Sequence, residues 1–201
     1  MVKHIVMSNV LLEKVLNNNG QPLKLSDFKD KLLILDFWAT SCGACIQAMP
    51  RLDSLVAAFV GKLVVLPVTA EPGDRIAAFQ HTNAFLKNKR FRTVVGDRVL
   101  HRLFPHRMLP HEVWIDGSGK VLGFTEASDI TGFTLEAALA RKGLASRMKE
   151  DVLDYDRSKP LLVKDNGGSD TAYQYRSVIT GMLQGLGSNL SLLLAYYQQF
   201  M

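Results

Sequence analysis

Cysteine is nearly absent from this chain, and the scarcity excludes more than it leaves open. The 201 residues hold two, Cys42 and Cys45. A structural zinc site draws on four ligands, usually two cysteine pairs or one pair with two histidines, and there is no second pair. A c-type haem needs histidine directly after the second cysteine, where Ile46 stands. No run reaches the ~18 apolar residues of a membrane-spanning helix, and the opening MVKHIVMSNV lacks the apolar stretch of a secretory signal. Acid is also in short supply. Lys and Arg number 24 against 19 Asp and Glu, a formal charge of +5. Hydrophobic residues make up 47%, ordinary for a chain that buries a proper core. The length holds one large domain, or a standard one with an appendage.

What the chain does have is concentrated in residues 31–50, KLLILDFWATSCGACIQAMP. Leu32 to Trp38 is almost wholly apolar, as a central strand covered on both faces requires, and only Asp36 interrupts it. The cysteines follow at the strand's end. Ile46, Met49, Leu52, Leu55, Val56 and Phe59 then recur at helical spacing, which puts Cys42 near a helix N-terminus. Two thiols with no role remain the alternative, since cysteine often fills cores. A Cys-x-x-Cys between a strand and a helix favours redox chemistry.

The stretch LDFWATSCGAC, with Pro50 five residues after Cys45 and LPHEVWID much later, resembles the thioredoxin fold. More closely it is similar to bacterial thiol-disulfide reductases of the TlpA and ResA type, of the AhpC/TSA-thioredoxin superfamily. The resemblance covers about residues 20–142 and departs at two places. Ser41 stands where a tryptophan is usual, and Gly43-Ala44 where Gly-Pro or Glu-Pro is common. It implies an α/β fold with a central mixed β-sheet flanked by helices, followed by a C-terminal extension. It also implies a dithiol that needs no cofactor or metal, a cis bond at Leu109-Pro110 facing the cysteines, and a glutamate near them, for which Glu71 is the candidate. Export is expected from the same resemblance, giving a periplasmic or envelope-associated mature form whose membrane association would reside in a preceding segment.

The remaining chain supplies the frame. Residues 5–16 are expected to form an N-terminal strand region, Leu63 to Thr69 a second strand, and Arg75 to Lys87 a helix capped by Asp74. Glu71 otherwise serves as an acid favourable to the following helix dipole. Pro50 removes a backbone donor inside the first helix and should kink it. Lys87, Lys89, Arg90, Arg92, Arg98, Arg102 and Arg107 face a single acid, Asp97, before Pro110. Such a segment reads as a solvated face rather than a nucleic-acid site. Near the cysteines its potential would favour a thiolate or acidic partners. His111 is expected to be an ordinary strand position, with a metal-ligating or modulating role as the alternative. Gly117 to Lys120 joins two strands as a hairpin, and Thr131 to Lys142 closes the unit as a helix. Domain boundaries are expected at 1–142 and 143–201. The second region carries a short strand within 151–164, a turn at Asp165 to Asp170, a strand at Tyr173 to Gly181 and an apolar tail at Leu190 to Phe200, as part of a larger region.

The chemistry expected is thiol-disulfide exchange on proteins, more as a reductase than an oxidant. Cys42, nearer the helix terminus, attacks a partner disulfide, and Cys45 resolves the mixed disulfide. Asp36, desolvated in its apolar strand, accepts the Cys45 proton. Leu109 and Pro110 meet the partner's extended chain, with Trp38, Gly43 and Ala44 around them and Ser41, Glu71 and His111 as modulators. The partners are disulfide-bearing proteins and an upstream dithiol donor. Two alternatives stay open. A thiol peroxidase places Thr three residues before its cysteine and a proline further upstream, where Ala39 and Leu35 stand. A redox-inert module would use the same fold to present its C-terminal region.

Overall fold

The fold is known from a computed structural model that describes residues 10–84, 86–87, 92–154, 156, 158, 163–164 and 167–168. The chain forms two compact units, Met1–Pro105 with Leu109–Lys149, and His106–Met108 with Glu150–Met201. In the first, the elements run β1 (Leu11–Leu12), β2 (Val15–Leu16), β3 (Leu23–Lys24), β4 (Leu32–Phe37), α1 (Gly43–Ala58), β5 (Leu63–Val68), α2 (Gly73–Thr82), β6 (Thr93–Val94), α3 (Val99–Leu103), β7 (His111–Ile115), β8 (Val121–Thr125) and α4 (Gly132–Leu139). Six strands make one sheet in the order β2-β6-β5-β4-β7-β8. Strands β4, β5 and β6 pair in parallel; β7 and β8 join antiparallel on one side and β2 on the other. This is the mixed, helix-flanked α/β sheet expected of a thioredoxin-like chain.

All six residues of β4 are buried, which explains its nearly unbroken apolar run. Alternation splits them between two cores. Leu33, Leu35 and Phe37 pack with Leu100 and Phe104 around α3. Leu32 and Ile34 pack with Leu52 of α1 and Leu135 and Ala138 of α4. Burying one such side chain contributes about 1.5–3 kcal/mol, so β4, buried along its whole length, contributes to both cores. Asp36 falls in the second set by parity, on the face that α1 covers.

Several expectations shift. Helix α2 ends at Thr82, and its N-cap is Pro72. Asp74 therefore does not cap it; its carboxylate accepts from the adjacent Arg75 N–H. Helix α1 contains Pro50, as expected, and runs to Ala58. Helix α4 starts one residue late because Thr131 is its cap, accepting from Thr134 N. The unit also extends past Lys142. Leu144 packs on the α4 side of the core, Met148 lies against Gly123, and Lys149 N donates to Phe124 O at 2.8 Å. A chain ended after Lys142 is expected to lose about 2–4 kcal/mol of unfolding free energy relative to one ended after Lys149, read as a lower urea midpoint.

In the second unit, Asp151 accepts from Arg107 N and Met108 N at 2.7 and 2.9 Å. A short strand β9 (Val163–Lys164) pairs in parallel with β10 (Gly167–Gly168), so part of the expected 165–170 turn is paired strand. The strand and tail expected over 173–181 and 190–200 lie outside the described residues.

Candidate active site

Strand β4 ends at Phe37, and a short loop delivers Cys42 to the N-cap of α1. Cys42 and Cys45 are joined by a disulfide, S–S 2.07 Å, and Cys42 Sγ accepts from Cys45 N at 3.2 Å. The unsatisfied N–H groups of a helix start favour negative charge, so the same geometry favours a thiolate at Cys42 once the bond is reduced. The two sulfurs are unequal. Cys42 is half-buried, whereas Cys45 is 1% exposed and packs with Trp38, Met49, Ile76, Leu86 and Val95. Gly43, Ala44 and Ser41 are exposed around the pair.

The Leu109-Pro110 bond is cis. Leu109 is half-buried and packs in the same cluster as Cys42 and Cys45, so the proline loop does face the dithiol. A groove of about 530 Å³ is lined by Ala44 and Pro110 together with Gln47, Arg51, Glu126 and Thr131. Arg51 shapes its floor by donating to the carbonyls of Ile130 and Ala127.

Glu71 is brought to the loop before the cysteines. Its carboxylate accepts from Thr40 N at 2.7 Å and from Thr40 Oγ1 at 2.8 Å, and pairs with Arg75 at 3.0 Å. Arg75 also donates to Thr40 Oγ1 at 3.2 Å. The spacing alone gave Glu71 no more than a place ahead of a helix.

Two expected site residues are placed elsewhere. Trp38 is 1% exposed, and its indole N–H donates to Thr93 Oγ1 at 3.2 Å. It supports Cys45 from behind and offers no surface to a partner. His111 pairs across the ladder with Phe37, on the sheet face opposite Trp38, and stacks on Phe124 with ring centroids 5.4 Å apart. It does not reach the dithiol. The basic segment is also no single patch. Leu100 and Phe104 are core, and Asp97 accepts from Leu100 N, His101 N and His101 Nδ1, interactions that pull its pKa down against its burial. Lys89 and Arg90 lie outside the described residues, and Arg107 belongs to the second unit.

Asp36 is 1% exposed and lines a cavity of about 470 Å³ with Met49, Leu52 and Asp53 of α1 and with Arg92. Burial pushes its carboxyl up to about 6, a hydrogen bond with Glu112 opposing the rise. Glu112 is the residue that sequence reasoning passed over. It is fully buried and sits directly across the ladder from Asp36. Burial first, and then the Asp36 charge and hydrogen bond, raise its pKa well above the ordinary value; Lys149 and Arg51 oppose this. Lys149 is itself buried, its Nζ donating to Pro110 O at 2.9 Å.

A mixed sheet with an i,i+3 cysteine pair at a helix N-terminus, faced by a cis-proline loop, defines a thioredoxin-like protein with a redox-type cysteine pair. Residues 8–129, more than half of the chain, match the AhpC/TSA family, and the chain belongs to it. Among curated proteins it is 37% identical over 68 residues to the thioredoxin-like protein YneN of Bacillus subtilis, which is 32% of this chain and 40% of that one. It is 34% identical over 56 residues to Thioredoxin-T of Drosophila melanogaster, 28% of this chain and 36% of that one. The chain thus spans well under half the length of these two relatives. Its fold is similar to the exposed lipoprotein thioredoxin Etrx1 of Streptococcus pneumoniae, with TM-score 0.50, 23% identity and coverage of 66% of this chain and 97% of that one. It is also similar to the thioredoxin domain of a thiol-disulfide oxidoreductase from Bacteroides vulgatus, with TM-score 0.52, 19% identity and coverage of 69% and 96%.

Proposed function

We propose that this protein is a dithiol-disulfide oxidoreductase of the TlpA and ResA type that reduces disulfides in other proteins. The asymmetry of the pair carries this reading: a half-exposed Cys42 at a helix start is bonded to a buried Cys45 beside a groove lined by the cis-proline. In the reduced protein the Cys42 thiolate attacks one sulfur of a partner disulfide. A mixed disulfide forms, and the other partner sulfur leaves as a thiolate and takes a proton from water. Cys45 then gives its proton to the Asp36 carboxylate and attacks Cys42 Sγ. The bond to the partner breaks, and the second partner sulfur leaves and is protonated in turn. Two electrons pass to the partner, the Cys42–Cys45 disulfide re-forms, and an upstream dithiol donor must reduce it again.

Thiolate activation alone gives a modest gain. A cysteine of pKa ~8.5 is only about 3% ionised at pH 7, and lowering the pKa to ~7 raises that about 16-fold. Reduced nucleophilicity, at a Brønsted slope near 0.45, takes back roughly fivefold. The low pKa therefore matters as much for Cys42 as leaving group in the resolving step. An envelope or periplasmic location belongs to the same reading and rests on the resemblance to TlpA and ResA proteins, which are exported. The test mixes reduced protein with a disulfide-bearing model protein and, separately, with hydrogen peroxide. Loss of two protein thiols per partner disulfide within seconds is expected, with peroxide consumed far more slowly. Faster oxidation by peroxide would establish the peroxidase alternative, and no exchange with either would leave a binding module.

A further inference from the structure

Asp36 and Glu112 stand opposite each other in the β4–β7 ladder. Opposite residues of an antiparallel pair point to the same face, with Cβ atoms about 4.5–5.5 Å apart. That face is the one α1 covers, for Ile34 and Trp114 flank the pair in the core shared with Leu52. Both side chains are fully buried, and among the described residues none of their four carboxyl oxygens meets a hydrogen-bond donor from outside the pair. The charged groups facing Glu112 are Asp36 from β4, Arg51 from α1 and Lys149 from the segment after α4, and those lining the cavity at Asp36 are Asp53 from α1 and Arg92 from the segment before β6. On the β8 side the neighbour of Glu112 is Thr125, which has no charge. Neither Arg51 nor Lys149 bonds to Glu112. Arg51 donates to two backbone carbonyls and Lys149 to Pro110 O.

Two adjacent buried carboxylates resist ionising together, and buried acceptors left without donors are costly. A proton held between them removes both difficulties, as in other carboxyl pairs that titrate as a unit. We propose that Glu112 is a positioning residue that stays protonated in the working enzyme and donates its hydrogen bond to the Asp36 carboxylate, thereby setting the pH at which Asp36 accepts the Cys45 proton. This rests on the reading of Asp36 as that acceptor. Glu112 itself neither meets the partner nor receives the Cys45 proton. Its hydrogen bond stabilises the ionised form of Asp36, which would otherwise stay protonated to higher pH. Without that bond, fewer Asp36 side chains would be ready to accept a proton at neutral pH.

The experiment follows resolution of a preformed mixed disulfide between Cys42 and a small thiol across pH in the full chain. The rate should fall on the acid side as Asp36 becomes protonated. Glu112→Gln keeps the shape and an N–H donor, so its acid-side midpoint should stay with the natural protein's. Glu112→Met has no donor, and a hydrogen bond to a charged group is strong enough that its midpoint should rise by about one to two pH units. A downward move in either variant would mean that Glu112 is ionised beside Asp36, and no move in Glu112→Met would mean that it does not act on Asp36. Either result overturns the proposal. Side-chain carboxyl 13C resonances of the unsubstituted protein give a reading independent of variant folding. Glu112 is expected to show no ionisation at pH 7, and an ionised Glu112 there overturns its role. Because that titration needs no turnover, it separates failure of the Glu112 role from failure of the Asp36 reading. An Asp36→Asn protein with an unmoved acid limb would show the latter.

Discussion

Cys45→Ser is expected to accumulate a covalent mixed disulfide with a model disulfide substrate, while Cys42→Ser stays close to inert toward it. The geometry supplies the reason. Cys42 sits half-buried at the N-cap of α1, where Cys45 N–H points at its sulfur and the helix terminus favours a thiolate. Cys45, one turn on, is 1% exposed and enclosed by Trp38, Met49 and Ile76. In Cys45→Ser attack can proceed but no thiol is left to resolve, so the adduct persists and mass spectrometry reads its added mass. In Cys42→Ser the remaining sulfur must be reached through packed side chains, and a loss of at least a hundredfold in trapping is expected. Alkylation by iodoacetamide should follow the same order, with a pH midpoint in Cys45→Ser below the unperturbed ~8.5. Trapping by Cys42→Ser as fast as by Cys45→Ser would reverse the order of the two sulfurs.

The parts of this site that were legible in sequence are those fixed by local pattern. An apolar run of strand length, a turn with the cysteines and a helical repeat are all read within thirty residues, and each lies where the pattern put it. Glu112 was not legible in the same way. It stands as one charged residue at the head of a strand expected over Glu112 to Asp116, and strand parity says only that His111 and Glu112 face opposite sides. Which side meets α1, and that the residue across from Glu112 is Asp36, depend on the β4–β7 register, which is a tertiary fact. The same register carries His111 away from the dithiol. Trp38 was misplaced for a related reason. Its nearness to the cysteines in sequence puts it among the expected partner contacts, but it directly follows β4 and is buried with its N–H on Thr93. Lys149 lay beyond the expected end of the unit, although its ammonium holds the cis-proline carbonyl. No local pattern announces a lysine that becomes buried through packing of a segment without regular structure.

Asp36→Asn should make the protein more stable and less active at neutral pH, a pairing that a purely structural aspartate would not produce. Burial raises the folded carboxyl to about 6, whereas an unfolded aspartate titrates near 3.9. A folded pKa above the unfolded one means that the native state binds the proton more tightly. The associated stability is fully present below about pH 4 and is lost as pH rises through about 6. Two pH units correspond to about 3 kcal/mol, so at pH 7 the native protein carries a cost of that order for ionising Asp36. The Asn side chain keeps the volume, accepts a hydrogen bond from Glu112 and has no charge to desolvate. Urea unfolding should therefore show the variant more stable by about 1–3 kcal/mol at pH 7, with the advantage gone at pH 4. The same variant should resolve a mixed disulfide about a hundredfold more slowly at pH 7, because the Cys45 proton has lost its acceptor. Near pH 10 the Cys45 thiol ionises without help, and the two rates should converge. Equal slowing at pH 7 and pH 10 would remove the proton-acceptor role from Asp36, and a variant less stable at pH 7 would mean that its carboxylate is satisfied in the folded state rather than held there against its desolvation.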